Sequence, residues 1–276
     1  MAALALLAVP AVCAAPLLLD PQFAGTYASG SGANARFVQV DGQWRGSTVL
    51  WNEATQTFGS GEQIGSFAWG TGLWGRADWQ AAIDSANGAT GSAYPRVVRS
   101  WSGVAASINF GNALYNDVYS GLWGPAALLP LFDPTMAYGE QENWLAHFTG
   151  YIRVTDAGIY NFSVLNDDGF FFRLIGAGDA ALEIARDYLN PRDRNGFDVD
   201  LLLGEGLYGF ELGMWNRLEA GVVDLRWSLD GGQTWTLVPT TSLLASAAVP
   251  APGSLLLASI SLAALALLRR VPAETV

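Results

Sequence analysis

The sequence predicts an all-β protein, a two-sheet sandwich or a barrel with few and short helices. The 276 residues include 32 glycines, 11 tryptophans and 9 tyrosines, a composition typical of strands joined by many turns. In the second half, several short segments alternate apolar and polar side chains with the period of two that a half-buried strand requires. Helical periodicity is limited to short stretches, and together these features favour packed sheets over a helical bundle.

The overall charge excludes one class of partner. Hydrophobic residues make up 51% of the chain and charged residues 14%, which indicates a folded core rather than disorder. All 14 basic residues are arginine, and with 25 acidic residues the net charge is −11. A protein that binds a phosphate backbone needs the opposite sign, so no nucleic acid partner is expected. An acidic surface suits divalent cations and neutral partners such as sugars.

The first 14 residues predict a signal peptide, because an apolar stretch ends in small residues that suit a cleavage site. Cys13, the only cysteine, lies in this stretch, and lipid attachment there is the alternative. After cleavage the exported chain would have no cysteine, so its core must stabilise the fold without disulfides.

The other end carries "VPAPGSLLLASISLAALALLRR", residues 249–270. As a helix, residues 253–268 would be about 24 Å long, short against a hydrocarbon core of about 30 Å. Arg269 and Arg270 would stay in the cytoplasm. The order of these features resembles the PEP-CTERM sorting signal of exported bacterial proteins. That resemblance implies insertion into the inner membrane, then processing by the sorting machinery at the cell surface. A plain C-terminal transmembrane helix is the alternative.

Residues 17–103 form a Gly/Trp-rich β segment whose role the sequence does not assign. "ARFVQVDGQW" predicts a hairpin that turns at Asp41-Gly42. "RADWQAAIDSAN", residues 76–87, predicts a short helix with Trp79 and Ile83 on one face. The tryptophans of "WGTGLWG", Trp69 and Trp74, either stack on a sugar or fill a core.

The strand pattern is sharpest in residues 104–245. "FTGYIRV" predicts a strand, "TDAG" a turn and "IYNFSV" a second strand. An acidic corner, "NDDG", separates this strand from "FFFRLIG". "GLYGFELGMW", "VVDLRWS" and "TWTLV" then predict three more strands. These alternations place one large β domain in this part of the chain.

This order resembles the PA-14 (protective-antigen) domain. The matching pieces are "FTGYIRV", "DAGIYNFSVLNDDG", "GEGLYGFEL" and "VVDLRWS", within residues 108–243. The resemblance implies a β-sandwich that binds extracellular carbohydrate. In sugar-binding members the peptide bond between the two corner aspartates is cis, and both carboxylates hold one Ca²⁺.

Carried onto this chain, the resemblance implies Ca²⁺ at Asp167 and Asp168. Calcium takes 6–8 oxygen ligands, so two aspartates are insufficient. In the family a loop before the last strand contributes, and here that loop is "MWNRLEAG", with Asn216 as the best oxygen donor. Trp215 is the candidate stacking face for a sugar, and Arg217 would oppose the ion. The alternative is an ordinary turn with no metal, because Asp before Gly is a common turn former.

Two further patterns bear on enzyme activity. "SLDGGQTW", residues 228–235, fits an Asp-box, which predicts a β-hairpin and, occurring once, no sialidase. His147 is the sole histidine, and no nucleophile elbow is present. A glycosidase needs two carboxylates about 5–9.5 Å apart. Candidates for that pair are Glu183, Asp187, Asp198 and Glu211.

Together these features predict a non-enzymatic protein, exported to the cell surface or secreted. Its expected partner is carbohydrate or exopolysaccharide, bound with Ca²⁺. A structural matrix protein without metal is one alternative, and a glycoside hydrolase is another.

Overall fold

The computed structural model describes residues 15–45, 50–52, 57–59 and 71–247. The predicted signal peptide, the predicted sorting signal and Trp69 lie outside these residues. Within the described ranges no helix is both long and apolar enough to cross a membrane.

Strands dominate the chain. In chain order they are β1 (Leu17–Leu19), β2 (Phe23–Ala24), β3 (Ala33–Val40), β4 (Leu50–Asn52), β5 (Thr57–Gly59), β6 (Val97–Ala105), β7 (Asn109–Gly111), β8 (Ala127–Leu128), β9 (Trp144–Val154), β10 (Gly158–Asp167), β11 (Gly169–Ile175), β12 (Ala181–Arg186), β13 (Asp193–Gly196), β14 (Leu201–Leu203), β15 (Gly206–Asn216), β16 (Val222–Ser228), β17 (Thr236–Leu237) and β18 (Leu243–Leu244).

Helical segments are short, as predicted. In the described residues they are α1 (Arg76–Ala86), α2 (Ser120–Trp123), a π-helical turn (Tyr115–Tyr119) and three 3₁₀ turns (Tyr138–Glu140, Ala177–Asp179 and Thr240–Ser242).

Two sheets form a sandwich, so the predicted all-β fold is confirmed. Sheet 1 has the order β1-β14-β10-β16-β7-β8, with β13 added to β10 and β17 to β16. Sheet 2 has the order β12-β11-β15-β9-β3-β6, with β18 added to β9 and β2 to β15. Most pairs are antiparallel; β1–β14 and β7–β8 are parallel. β4 and β5 pair with each other.

The main core lies between the two sheets. The residues predicted to share one face of β10, Tyr160, Phe162 and Val164, are all buried there. They meet apolar side chains from sheet 2 such as Phe172 and Phe210. Burial of these large side chains is the main stabilising contribution to the sandwich.

The described residues of the segment 17–103 contribute strands to the same sandwich. They supply β1 to sheet 1 and β2, β3 and β6 to sheet 2, and β6 crosses the boundary predicted between residues 103 and 104. The chain does turn after Asp41, with the Trp44 N–H donating to the Asp41 carbonyl at 3.1 Å. The predicted hairpin is nevertheless wrong, because β3 pairs with β6 and β9.

The outer faces of both sheets carry smaller cores. On sheet 2, the predicted helix α1 packs Trp79 and Ile83 against Phe171 and Trp215. On sheet 1, Tyr115 of the π-helical turn packs with apolar residues of β10 and β16. The sandwich is therefore covered on both sides near the ends of β10 and β15.

The last described strand, β18, lies in the interior of sheet 2. Leu243 and Leu244 pair with Ile152 and Tyr151 of β9, beyond the point where the pairing of β3 with β9 begins. The N–H groups of Gly30 and Gly32 donate to the carbonyls of Thr241 and Leu243 at 2.8 and 3.0 Å. The C-terminal end of the described chain is thus hydrogen-bonded on two sides.

Candidate functional site

The acidic pair lies where the chain crosses from one sheet to the other. β10 of sheet 1 ends at Asp167, and β11 of sheet 2 begins at Gly169, so Asp168 is the single residue between them. The peptide bond between the two aspartates is cis. This is the geometry that the family resemblance implies.

Hydrogen bonds to β15 fix Asp168. Its N–H donates to the carbonyl of Trp215 at 2.9 Å, and its Oδ2 accepts the N–H of Arg217 at 2.7 Å. These two partners flank Asn216 in the chain. The antiparallel register, with Gly169 opposite Trp215, therefore brings Asn216 beside the acidic pair.

Asn216 is fully buried and carries an oxygen without a partner. Its Nδ2 donates to the carbonyls of Leu218 and Ala220 at 2.8 and 3.3 Å, whereas its Oδ1 accepts no hydrogen bond. The carboxylates of Asp167 and Asp168 each accept their hydrogen bond at Oδ2. An unpaired buried oxygen is costly, and carboxylate and amide oxygens are the ligands that Ca²⁺ prefers. The donor chemistry of these three residues fits a calcium ion.

The other partner of the pair is a side chain that the sequence analysis did not assign. Arg192 Nη2 donates to Asp167 Oδ2 at 2.6 Å, and the exposed fractions of the two side chains are 13% and 12%. The guanidinium carbon also lies 3.9 Å from the ring centroid of Tyr119 and 5.6 Å from that of Tyr115. The chain itself therefore places one positive charge on Asp167 and supports it with two aromatic rings.

Burial disfavours the ionised forms of Asp167 and Asp168. Burial raises the pKa of Asp167 to about 7, although the adjacent Arg192 acts in the opposite direction. Although Asp168 retains some exposed surface, burial of its carboxyl, and then the charge of Asp167, raise its pKa well above the usual range. A cation near the two carboxyls would favour their ionised forms.

Arg217 contacts the pair mainly through its backbone. Its guanidinium donates to the Thr71 hydroxyl at 3.2 Å and lies 5.4 Å from the ring centroid of Trp74. The residue is buried, which lowers the pKa of Arg217, while Glu142 and Asp168 act to raise it. Arg217 is thus held by neighbours outside the corner as well as by the charge of Asp168.

Trp215 does not offer a stacking face, which corrects the sequence-based assignment. Its ring is fully buried in the core beneath α1, and its Nε1 donates to the carbonyl of Tyr188 at 3.2 Å. The side chain belongs to the outer face of sheet 2, and α1 covers that face. Trp74 is buried as well, so it also belongs to the protein interior.

Three of the carboxylates considered for a glycosidase, Glu183, Asp187 and Glu211, are engaged elsewhere. Glu211 lies 3.0 Å from His147 Nε2 and 3.5 Å from Arg173, which also contacts Glu183 at 3.6 Å. The hydrogen bond from His147 lowers the pKa of Glu211 and so disfavours the protonated form that a general acid needs. Asp187 accepts the N–H of Arg76 at 2.7 Å. In the part of the chain that the structure describes, no three His, Cys, Asp or Glu side chains form a cluster suited to a metal.

The hairpin predicted from the Asp-box is confirmed. β16 pairs with β17, and Asp230 Oδ1 accepts the N–H groups of Gln233 and Thr234 at 3.0 and 2.9 Å. Asp230 Oδ2 accepts the Thr234 hydroxyl at 2.5 Å. These bonds lower the pKa of Asp230 to about 2, and they assign it a structural role in the turn.

No protein-family model and no curated protein matches this chain. Solved structures with a similar fold include the PA14 domain of the MpAFP antifreeze protein, with 14% identity over 82% of this chain and 97% of that one, at a TM-score of 0.45. Another is the PA14 sugar-binding domain of an RTX adhesin, with 13% identity, 79% and 99% coverage and a TM-score of 0.43. A third is the epithelial adhesin 6 A domain from Candida glabrata in complex with Galβ1-3GlcNAc, with 15% identity, 84% and 93% coverage and a TM-score of 0.46.

Proposed function

We propose that this chain binds extracellular carbohydrate through a calcium ion held at the corner between β10 and β11. Asp167, Asp168 and Asn216 would hold the ion. The observation that supports this most directly is the buried Oδ1 of Asn216, which has no hydrogen-bond partner and belongs to the residue beside the acidic pair. A hard cation would satisfy this oxygen and favour the ionised form of both carboxyls.

The residues assigned here leave room for a sugar in the coordination shell. Three side chains supply fewer oxygens than the 6–8 that calcium takes. The ion would therefore accept further oxygens from backbone carbonyls and from neighbouring hydroxyls of a sugar ring. The net charge of −11 favours neutral glycans over polyanionic ones, because a negatively charged glycan would be repelled by the surface.

A glycan array tests the proposal. The full chain is applied in buffer with calcium, in the same buffer with a chelator, and as the Asp168→Asn variant with calcium. We expect glycan binding only for the unmodified chain with calcium. Equal signals with and without chelator would exclude the metal from recognition, and no signal in any arm would contradict carbohydrate binding.

The second candidate is a structural matrix protein whose corner needs no metal. The ion pair between Arg192 and Asp167 favours this function, because the chain then supplies its own positive charge. Thermal unfolding separates the two candidates. A melting temperature that is identical with calcium and with chelator favours the structural protein.

Export is part of the proposal. Residues 1–14 would be removed as a signal peptide, and residues 249–270 would direct the chain to the membrane and the sorting machinery. Mass spectrometry of the protein recovered from cells and from the medium tests both steps. We expect the mature chain to start after residue 14, and an intact N-terminus in the recovered protein would contradict export by this route.

A further inference from the structure

We propose that Arg192 competes with a divalent cation for the carboxylate of Asp167. A divalent cation bound at Asp167 would displace Arg192 from that carboxylate and thereby rearrange residues 189–192. The inference rests on the proposed calcium site and adds a means by which the chain sets the affinity of that site.

Arg192 is hydrogen-bonded to Asp167, one of the proposed calcium ligands. The 2.6 Å contact joins Arg192 Nη2 to Asp167 Oδ2, and both side chains are largely buried. A charge-assisted hydrogen bond of this length between largely buried groups is stronger than an exposed ion pair. A cation that binds Asp167 must therefore weaken or replace this bond.

Charge then makes joint occupancy unfavourable. Arg192 and a divalent ion are both positive and would share one carboxylate, so each lowers the affinity of the corner for the other. The negative groups nearby are Asp167, Asp168 and Glu219, and the other positive group is Arg217. Arg192 is the member of this set whose guanidinium donates directly to a proposed ligand.

The position of Arg192 in the chain allows its side chain to move away from Asp167. It ends the loop between β12 and β13, and Asp187, Tyr188 and Pro191 of this loop are exposed. Two residues later, Arg194 donates to both oxygens of Asp224 at 2.7 and 2.9 Å and anchors β13. Asp187 and Tyr188 are held by Arg76 and Trp215. Displacement of Arg192 is therefore expected to move residues 189–192 while β13 stays in place.

Isothermal titration of the full chain with CaCl₂ tests the competition. The variants are Arg192→Gln, which removes the competing charge, and Arg186→Gln, which removes one charge from the neighbouring strand. Arg186 contacts Asp193 and Asn195 and makes no hydrogen bond to the acidic pair. We expect Arg192→Gln to bind calcium about 10- to 100-fold more tightly than the unmodified chain, and Arg186→Gln to stay within about twofold.

A second variant and a second measurement keep the test independent of folding defects. Arg192→Lys retains the charge but loses the planar fork, so its calcium affinity should lie between those of the unmodified chain and Arg192→Gln. Hydrogen exchange of the unmodified chain should become faster in residues 189–192 when calcium is added. The Asp168→Asn variant should show no such change.

The possible results separate this inference from the proposed function. Calcium binding of equal affinity by the unmodified chain and Arg192→Gln would overturn the competition and leave the calcium site intact. Slower exchange of the loop on calcium binding would also overturn it. If neither protein binds calcium at millimolar concentration, the calcium site itself fails and the inference fails with it.

Discussion

Gly169 lies opposite Trp215 in the register of β11 and β15, so close that a β-carbon at residue 169 would collide with the indole ring. The same β-carbon would lie 2.5 Å from the carbonyl oxygen of Tyr188. The glycine after the acidic pair is therefore required by packing. It allows the corner, the end of β15 and the loop before β13 to meet.

Replacing Gly169 by alanine should destabilise the fold. We expect a cost of about 1–3 kcal/mol, since overpacking of a well-packed site has costs of this size. For a chain of this length this corresponds to a melting temperature lower by roughly 2–10 °C. Gly158→Ala is the matched control, because a β-carbon at Gly158 meets nothing within 4 Å. Equal melting temperatures for the two variants would show that the close approach is tolerated.

Calcium should stabilise the protein through Asp168. At a free concentration of 100 times Kd, a ligand that binds only the folded state adds about 2.7 kcal/mol, or roughly 5–10 °C in melting temperature. We expect this shift for the unmodified chain and none for Asp168→Asn, measured by differential scanning calorimetry. Asp156→Asn, which changes a carboxylate in the exposed turn before β10, should keep the full shift. A calcium shift that persists in Asp168→Asn would place the ion elsewhere.

Trp215→Phe should lower stability without changing glycan binding by the folded protein. The substitution removes buried volume and the hydrogen bond to the carbonyl of Tyr188, at a cost of about 2–4 kcal/mol. Trp79→Phe is the matched control variant, because Trp79 lies in the same core and its Nε1 donates to the carbonyl of Ala146 at 3.1 Å. Loss of glycan binding at an unchanged melting temperature, seen in Trp215→Phe alone, would restore a direct role for this ring.

The Asp230 turn should lose its contribution to stability in acid. Hydrogen bonds from Thr234 and Ser228 lower the folded-state pKa of Asp230 to about 2, below its usual value of 3.8. The unfolded chain then binds more protons between these values, so this contribution is present above pH 4 and is lost as the pH falls toward 2. The difference in melting temperature between the unmodified chain and Asp230→Asn should therefore shrink from pH 6 to pH 3. Thr234→Ser, which keeps the hydroxyl, should behave like the unmodified chain, and a pH-independent difference would contradict this assignment.

Local patterns predicted the strands near the corner but not all of their partners. The alternation of Tyr160, Phe162 and Val164 specifies a strand with one buried face, because period two is a property of the strand itself. The pairing of β3 with β6 instead joins residues far apart in the sequence. A turn signal after Asp41 indicates only that the chain changes direction, and it does not specify the partner strand.

The same distinction applies to the site. Asn216 is the last residue of β15, and it is a candidate because the family resemblance places a ligand on the segment that precedes the last long strand. Trp215 was misassigned because alternation does not reveal that α1, from residues 76–86, covers the outer face of sheet 2. Arg192 lies in a segment without periodicity, 25 residues after Asp167, and its contact arises only from the tertiary fold.

The position of β18 determines how the sandwich would respond to mechanical load. A pulling force applied at residue 247 would enter the sheet at Leu243 and Leu244, beside the central strand β9. The hydrogen bonds of Gly30 and Gly32 to this end would share the load with the start of β3. Traction at residue 247 is thus distributed over the middle of the sheet.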